Sequence, residues 1–320
     1  MEKDAVMEVI KNGKIDIDRY RVKEGEKVDL KKYSTKRDLD IDKEEVKEKY
    51  FPEVMERLKE YQEALYAEDS YGLVVVLQAM DAAGKDGIVN HVFSSLNPGG
   101  VTVVSFKQPS IEEKDHDYMW RINKALPARG NIGIFNRSHY EDVIVTRIHD
   151  LIKNSQLPEQ LISKDIWKER FEQINNWEKY LCQNGFKMIK IFLHVSKEEQ
   201  QDRLIDRIIT KEKNWKFSLS DINERQYWDD YQNLYQEIFE KTSTELSPWY
   251  VVPADNKWFT RYVVALITTE ALRKIDPQYP ELSPELKEHL EKFKKMIAKT
   301  GAKSLEEIRE VIEKTEEEKK

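Results

Sequence analysis

Lys85 directly follows Gly84 in the segment Met80-Asp81-Ala82-Ala83-Gly84-Lys85-Asp86-Gly87, which comes after the apolar run Leu73 to Leu77. A chain that leaves a buried strand and turns through small side chains into a helix directs successive backbone N–H groups, and the helix N-terminus, at an anion. The amides of Ala82, Ala83, Gly84, Lys85, Asp86 and Gly87 are thus expected to hold phosphates, and Lys85 adds a mobile positive charge. The spacing departs from G-x-x-x-x-G-K followed by Ser or Thr, because Ala79 replaces the first glycine and Asp86 replaces the hydroxyl that would meet a magnesium ion. Such an ion then needs a carboxylate, and Asp81 is the nearest one. The competing reading is a simple glycine turn between strand and helix.

A second polar cluster follows another apolar run: Asn136-Arg137-Ser138-His139-Tyr140-Glu141-Asp142. Asn136 stands where phosphotransferases often put a metal-binding Asp, so Glu141, or else Asp142, is expected to supply the carboxylate. Arg137 suits the charge that spreads over a transferring phosphoryl group, since a guanidinium can grip two oxygens at once. Its alternative is a structural ion pair with Glu141 or Asp142. His139-x-Glu141 imitates a zinc-deaminase motif, but that site also needs a cysteine pair, and Cys182 is the only cysteine.

Further along, Arg203, Arg207 and Lys211 fall at helical spacing on one face. Like charges so placed repel by about 0.2–0.5 kcal/mol per pair unless an anion lies across them. With Lys213, Trp215, Lys216 and Phe217 they read as a lid over phosphates, spanning about 203–225. The alternative is a solvated face with Glu199 and Arg203 paired. Ser105-Phe106-Lys107-Gln108-Pro109 offers a nucleotide an aromatic surface and a cation, although Phe106 equally suits a core. Pro253 to Trp258 occupies the matching place after the last strand, either meeting a donor or capping a helix through Asp255.

The elements that must position these residues are five short apolar runs: Leu73 to Leu77, Val101 to Phe106, Ile132 to Phe135, Met188 to Val195 and Trp249 to Val252. Helical stretches separate them, which predicts an α/β fold with a central parallel five-stranded sheet and a ligand site at the strands' carboxyl ends. Residues 1–42 read as an arm on the main body and 43–276 as the P-loop domain, opening with an amphipathic helix over 43–67. Residues 277–320 read as a C-terminal helical extension. In it Ser283 caps a helix and a second helix follows Thr300 and Gly301, with fraying expected at the end.

The formal charge of −7 argues against a protein that coats nucleic acid. A lone cysteine permits no intrachain disulfide and suits a reducing cytoplasm. No apolar run approaches the roughly 20 residues that span a bilayer, so no membrane partner is expected.

Taken in order, the loop from Met80 to Gly87, Ser105-Phe106-Lys107-x-Pro109, Leu126 to Gly130, Phe135 to Val143 and Trp215-Lys216-Phe217 closely resemble the second family of polyphosphate kinases. The likeness runs from about Tyr20 to Ile275. It implies a thymidylate-kinase-like P-loop kinase, a three-layer fold with a helical lid. The implied donor is inorganic polyphosphate, and the acceptors are AMP and ADP, with ATP as product and other nucleotides beside them. The Asn-Arg-Ser-His-Tyr-Glu form resembles class III, associated with both mono- and diphosphate acceptors.

On this reading Asp81, Lys85, Arg137 and Glu141 are catalytic, with Asp81 and Glu141 orienting Mg²⁺ or, in its place, Mn²⁺. The loop, Arg137, Arg203, Arg207 and Lys216 hold phosphates; Phe106, Lys107, Pro109, Asn136 and Glu141 hold the nucleotide. The resemblance also implies a homodimer or homotetramer. Two rivals stay open: an ATP-dependent nucleoside monophosphate kinase and a non-catalytic polyphosphate or nucleotide sensor. Ala79 implies a loop backbone that alanine can adopt without positive φ.

Overall fold

The apolar runs become five parallel strands, β1 (Gly72–Ala79), β2 (Val101–Ser105), β3 (Ile132–Asn136), β4 (Phe186–His194) and β5 (Trp249–Pro253), in the order β2-β3-β1-β4-β5. The computed structural model describes residues 15–39, 41–301 and 304–309. Every residue of β1, β3 and β5 is buried, which explains why these strands read as continuous apolar runs and not as alternating ones. β2 lies at the edge and keeps every residue at least partly exposed.

Strand order reverses at β1, which has β3 on one side and β4 on the other. At such a switch point the loops after adjacent strands part and leave a crevice. Leu77 pairs with Asn136 across β1 and β3, so the loop after β1 and the turn after β3 emerge side by side.

Helices cover both faces. The predicted amphipathic helix runs as a short piece, Lys43–Glu45, a π turn, Val46–Tyr50, and α1 (Phe51–Glu68). Lys85 opens α2 (Lys85–Ile88), which continues through a second π turn, Val89–Phe93. Next come α3 (Glu141–Ile148), α4 (Ile166–Gln183), α5 (Lys197–Ile209), α6 (Leu219–Glu224), α7 (Trp228–Thr242) and α8 (Lys257–Ile275). α8 packs on α1, β4 and β5, while α4 packs on β4 and α7. A run from Phe259 to Leu272 with Arg261 alone not fully buried makes α8 a core helix.

The arm lies on the outer edge of β5. Ile15, Ile17, Tyr20 and Val22 are buried, Arg21 bridges Tyr250 in antiparallel fashion, and the Val22 amide donates to the Trp249 carbonyl at 2.9 Å. An otherwise open strand edge is thereby covered. Residues 1–14 of the predicted arm lie outside the described residues.

The lid departs from the expected stripe. α5 stops at Ile209 and Thr210 is extended (φ −92°, ψ 109°), so Lys211 leaves the face shared by Arg203 and Arg207. Lys211–Lys216 winds more tightly as a 3₁₀ segment, and α6 and α7 are separate helices joined by a turn at Arg225–Tyr227. Asp255 also differs from expectation. α8 has Asn256 at its N-cap, and the Asp255 carboxylate instead accepts from the Ser196 amide (2.8 Å) and the Thr35 hydroxyl (2.9 Å), tying the arm to the start of α5.

The chain divides into two compact units at Gln278 and Tyr279. In the second unit, α9 (Pro284–Thr300) starts as predicted, with the Ser283 hydroxyl accepting from the Leu286 amide at 3.2 Å. A further helical stretch occupies 305–309; the charged end from Glu316 to Lys320 lies outside the described residues.

Candidate active site

β1 ends at Ala79, and Ala79 is not among the residues with positive φ. The left-handed positions fall later, at Ala82 (φ 60°) and at Gly84 (φ 114°), the N-cap of α2. Only glycine takes that second conformation without strain. No side chain caps α2, and the amides of its first turn have no intrahelical partner, which leaves them available to an anion.

Lys85 folds back onto the loop, donating to the carbonyls of Ala79 (3.0 Å) and Met80 (3.4 Å). Burial, and then the neighbouring Arg137, push its pKa down to about 8. Its third N–H remains for an anion in the cleft that Lys85 borders.

The turn after β3 brings its residues onto the same loop. Arg137 has φ 66°; its Nη2 donates to Asp81 at 2.6 Å and its Nη1 to Glu141 at 3.3 Å. Burial opposes its charge, but Glu141 and Asp81 outweigh it and raise its pKa. The ion pair foreseen between Arg137 and Glu141 therefore forms, and Asp81, not foreseen as a partner, holds the guanidinium more tightly.

Asp142 faces Arg121 at 4.0 Å, and burial pushes its pKa up to about 6. The Asn136 amide donates to the Asp86 carboxylate at 2.8 Å. Asp86 is thus held at the end of β3, and Asn136 spends on it the amide expected to meet a nucleotide.

On the lid side, Arg203 is buried and committed. Its donors reach the carbonyls of Ala82 (3.2 Å), Ala83 (2.6 Å), Ala254 (2.6 Å) and Asp255 (3.2 Å), and Nε pairs with Glu199 at 2.8 Å. It braces the loop against the end of β5 before it can serve as a phosphate ligand. Arg207 pairs with Asp221 at 2.6 Å, and Lys216 and Trp215 are exposed.

These groups line one open cleft of about 880 Å³. Asp81, Ala82, Gly84, Lys85, Asp86, Gly87, Asn136, Arg137, Glu141, Arg203, Arg207 and Lys216 all border it, as do Phe106, Lys107 and Pro109; Ala83 is buried behind the loop. Phe106 fulfils both of its readings: it is buried edge-on against Phe135 (centroids 5.1 Å apart) and also borders the cleft.

The wall also includes Lys213, already read as a lid cation, and adds Arg121 and Lys257. Lys213 and Lys257 sit in segments already flagged as loops, whereas Arg121 had no signal beyond a cation in an otherwise unremarkable short helix. Gln200, donating to the Asp81 carbonyl at 3.0 Å, was likewise unforeseen. Among the described residues no three His, Cys, Asp or Glu side chains gather to hold a metal, and no helix is long and apolar enough to cross a membrane.

The family profile described as Polyphosphate kinase 2 matches residues 40–280. The chain belongs to the polyphosphate kinase 2 family. It is 43% identical over 288 residues to a Rhodopseudomonas palustris protein named ADP-polyphosphate phosphotransferase, covering 89% of this chain and 100% of that one. With a Meiothermus ruber protein named AMP/ADP-polyphosphate phosphotransferase it shares 44% identity over 225 residues, 70% of this chain and 80% of the other. The crystal structure of polyphosphate kinase 2 from Arthrobacter aurescens TC1 superposes with a TM-score of 0.76 at 39% identity, over 83% of this chain and 92% of that one. The two relatives are about equally similar and are named for different acceptors.

Proposed function

We propose that this polyphosphate kinase 2 transfers the terminal phosphoryl group of inorganic polyphosphate to AMP and to ADP, reversibly. The carrying observation is the convergence of Asp81 and Glu141 on the one guanidinium of Arg137, beside an uncapped helix N-terminus that begins with Lys85. Two carboxylates meeting at one cationic centre also suit Mg²⁺, which takes one or two protein carboxylates and completes its shell with phosphate oxygens and water. Mn²⁺ shares that oxygen preference. Bound by Asp81 and Glu141, such an ion supplies neutralisation of the phosphate charge.

The chain's own residues do the rest. The amides of Ala82 and of Gly84 to Gly87, with the Lys85 ammonium, bind the end of the polyphosphate, while the Ala83 amide, expected among them, donates to the Met80 carbonyl at 3.3 Å. The exposed cations Lys213, Lys216 and Lys257, with Arg207, receive the units behind it along the lid side of the cleft. Phe106, Lys107 and Pro109 border the opposite arm, where the acceptor nucleotide brings its terminal phosphate oxygen to the reacting phosphorus.

Arg137 stabilises the charge that spreads over the transferring group. No protein nucleophile is needed, since in-line transfer depends on positioning and charge stabilisation. Closure of the segment carrying Trp215 and Lys216 excludes water and so suppresses hydrolysis. Lys85→Ala tests the assignment: turnover falls by at least about 10²-fold with the fold intact by circular dichroism. Undiminished turnover in that variant ends the assignment.

A further inference from the structure

Behind Arg137 and Glu141 lies a fully buried charged network that the transfer chemistry does not touch. Glu178, on α4, accepts from the Tyr140 hydroxyl at 2.8 Å and from Lys190 Nζ at 2.5 Å, and lies 3.3 Å from His139 Nε2. Lys190, on β4, also donates to the Thr242 carbonyl at 2.7 Å and to the Tyr140 hydroxyl at 3.2 Å. The Tyr140 ring packs edge-on against Trp249 of β5, whose indole N–H donates to the Thr242 hydroxyl at 2.9 Å. His139, Tyr140 and Lys190 are 0% exposed and Glu178 1%.

The network therefore grips the turn between its two cleft-facing members. From the other side the Ser138 hydroxyl accepts from the Gln78 amide and from the Tyr140 backbone N–H, each at 3.2 Å. Five elements, β1, α4, β4, β5 and the end of α7, thus hold residues 138–140, while Arg137 and Glu141 project into the cleft. Arg137 occupies left-handed backbone at φ 66°. A non-glycine residue persists there only when its surroundings over-determine it. A buried ion pair also gives little net stability over well-packed apolar residues of like volume, so stability alone does not account for Glu178 and Lys190.

We propose that Tyr140, Glu178 and Lys190 are positioning residues for phosphoryl transfer, acting through the 137–141 turn to hold Arg137 and Glu141 at their place in the cleft. The inference rests on the function proposed above. Misplacement of a reacting group by about 1 Å can cost about 10²-fold in rate.

Tyr140→Phe keeps the ring and removes the hydroxyl. Assayed well below its melting temperature with polyphosphate and AMP, it is expected to lower kcat about tenfold or more with KM for AMP little changed. In an Arg137→Lys background the same change is expected to cost clearly less, because one of the two groups it positions is already lost and only the Glu141 share remains. Glu178→Gln is the second variant and follows the same pattern. An unchanged kcat, or an equal factor in both backgrounds, overturns the proposal.

A crystal structure of Tyr140→Phe gives a reading without turnover. Arg137 displaced from between Asp81 and Glu141 supports the proposal, and an unmoved Arg137 contradicts it. If the wild-type chain shows no polyphosphate-dependent transfer, the functional assignment falls, and that structure still decides whether the network positions the turn.

Discussion

At the level of single residues, the site is held together by groups that compete for one another. Lys85 is drawn to two carbonyls and lies near Arg137, so the free protein keeps its ammonium only at a cost, reflected in a pKa pushed down to about 8 by burial and then by Arg137. The sign follows: Lys85 is charged below about pH 8 and neutral above it. Tripolyphosphate binding to the free protein, measured by titration calorimetry, should therefore weaken as pH rises through 8. In Lys85→Met that step should be absent, and a step that survives there contradicts the account. Because the unfolded lysine keeps its proton to about 10.4, the same group costs folding stability in full below about pH 8, and that cost lifts as pH rises from about 8 to about 10.4.

At the level of elements, Arg203 is the link between lid and loop. It joins α5 to the carbonyls of Ala82 and Ala83 and to the end of β5. Arg203→Met leaves buried carbonyls without donors, at about 1–3 kcal/mol each, so thermal unfolding should fall by several degrees and transfer should weaken with it. A variant as stable and as active as the parent removes the brace from the account. The lid carries its own reporter, since Trp215 is 78% exposed at the cleft mouth. Adding polyphosphate should shift tryptophan emission to the blue, and Trp215→Phe should lose most of that shift. Identical shifts in parent and variant would mean that the segment does not close.

At the scale of the whole molecule, the strands and their parallel direction were legible because each is a short apolar run broken by at most a few polar residues, and helical stretches between them supply the crossovers. Two things were not. A backbone-directed arginine such as Arg203 looks the same in sequence as one facing an anion; only the end of α5 at Ile209 and the positions of four carbonyls distinguish them. Lys190 was a visible charge inside an apolar strand, and Glu178 lies on the apolar stripe of α4 between Ile174 and Leu181. Their meeting across two elements has no sequence spacing.

Among the described residues the core is confined to those up to Ile275, within the first unit, and the family match ends at 280. A chain ending at Gln278 should therefore melt within a few degrees of the parent and keep its transfer activity, and loss of either would give the second unit a part in the fold or the reaction. Whether polyphosphate is the donor is decided by incubating the protein with AMP, long-chain polyphosphate and magnesium in the absence of ATP. ADP and then ATP are expected; AMP left unchanged under those conditions, with product appearing only when ATP is supplied, would make ATP the donor instead.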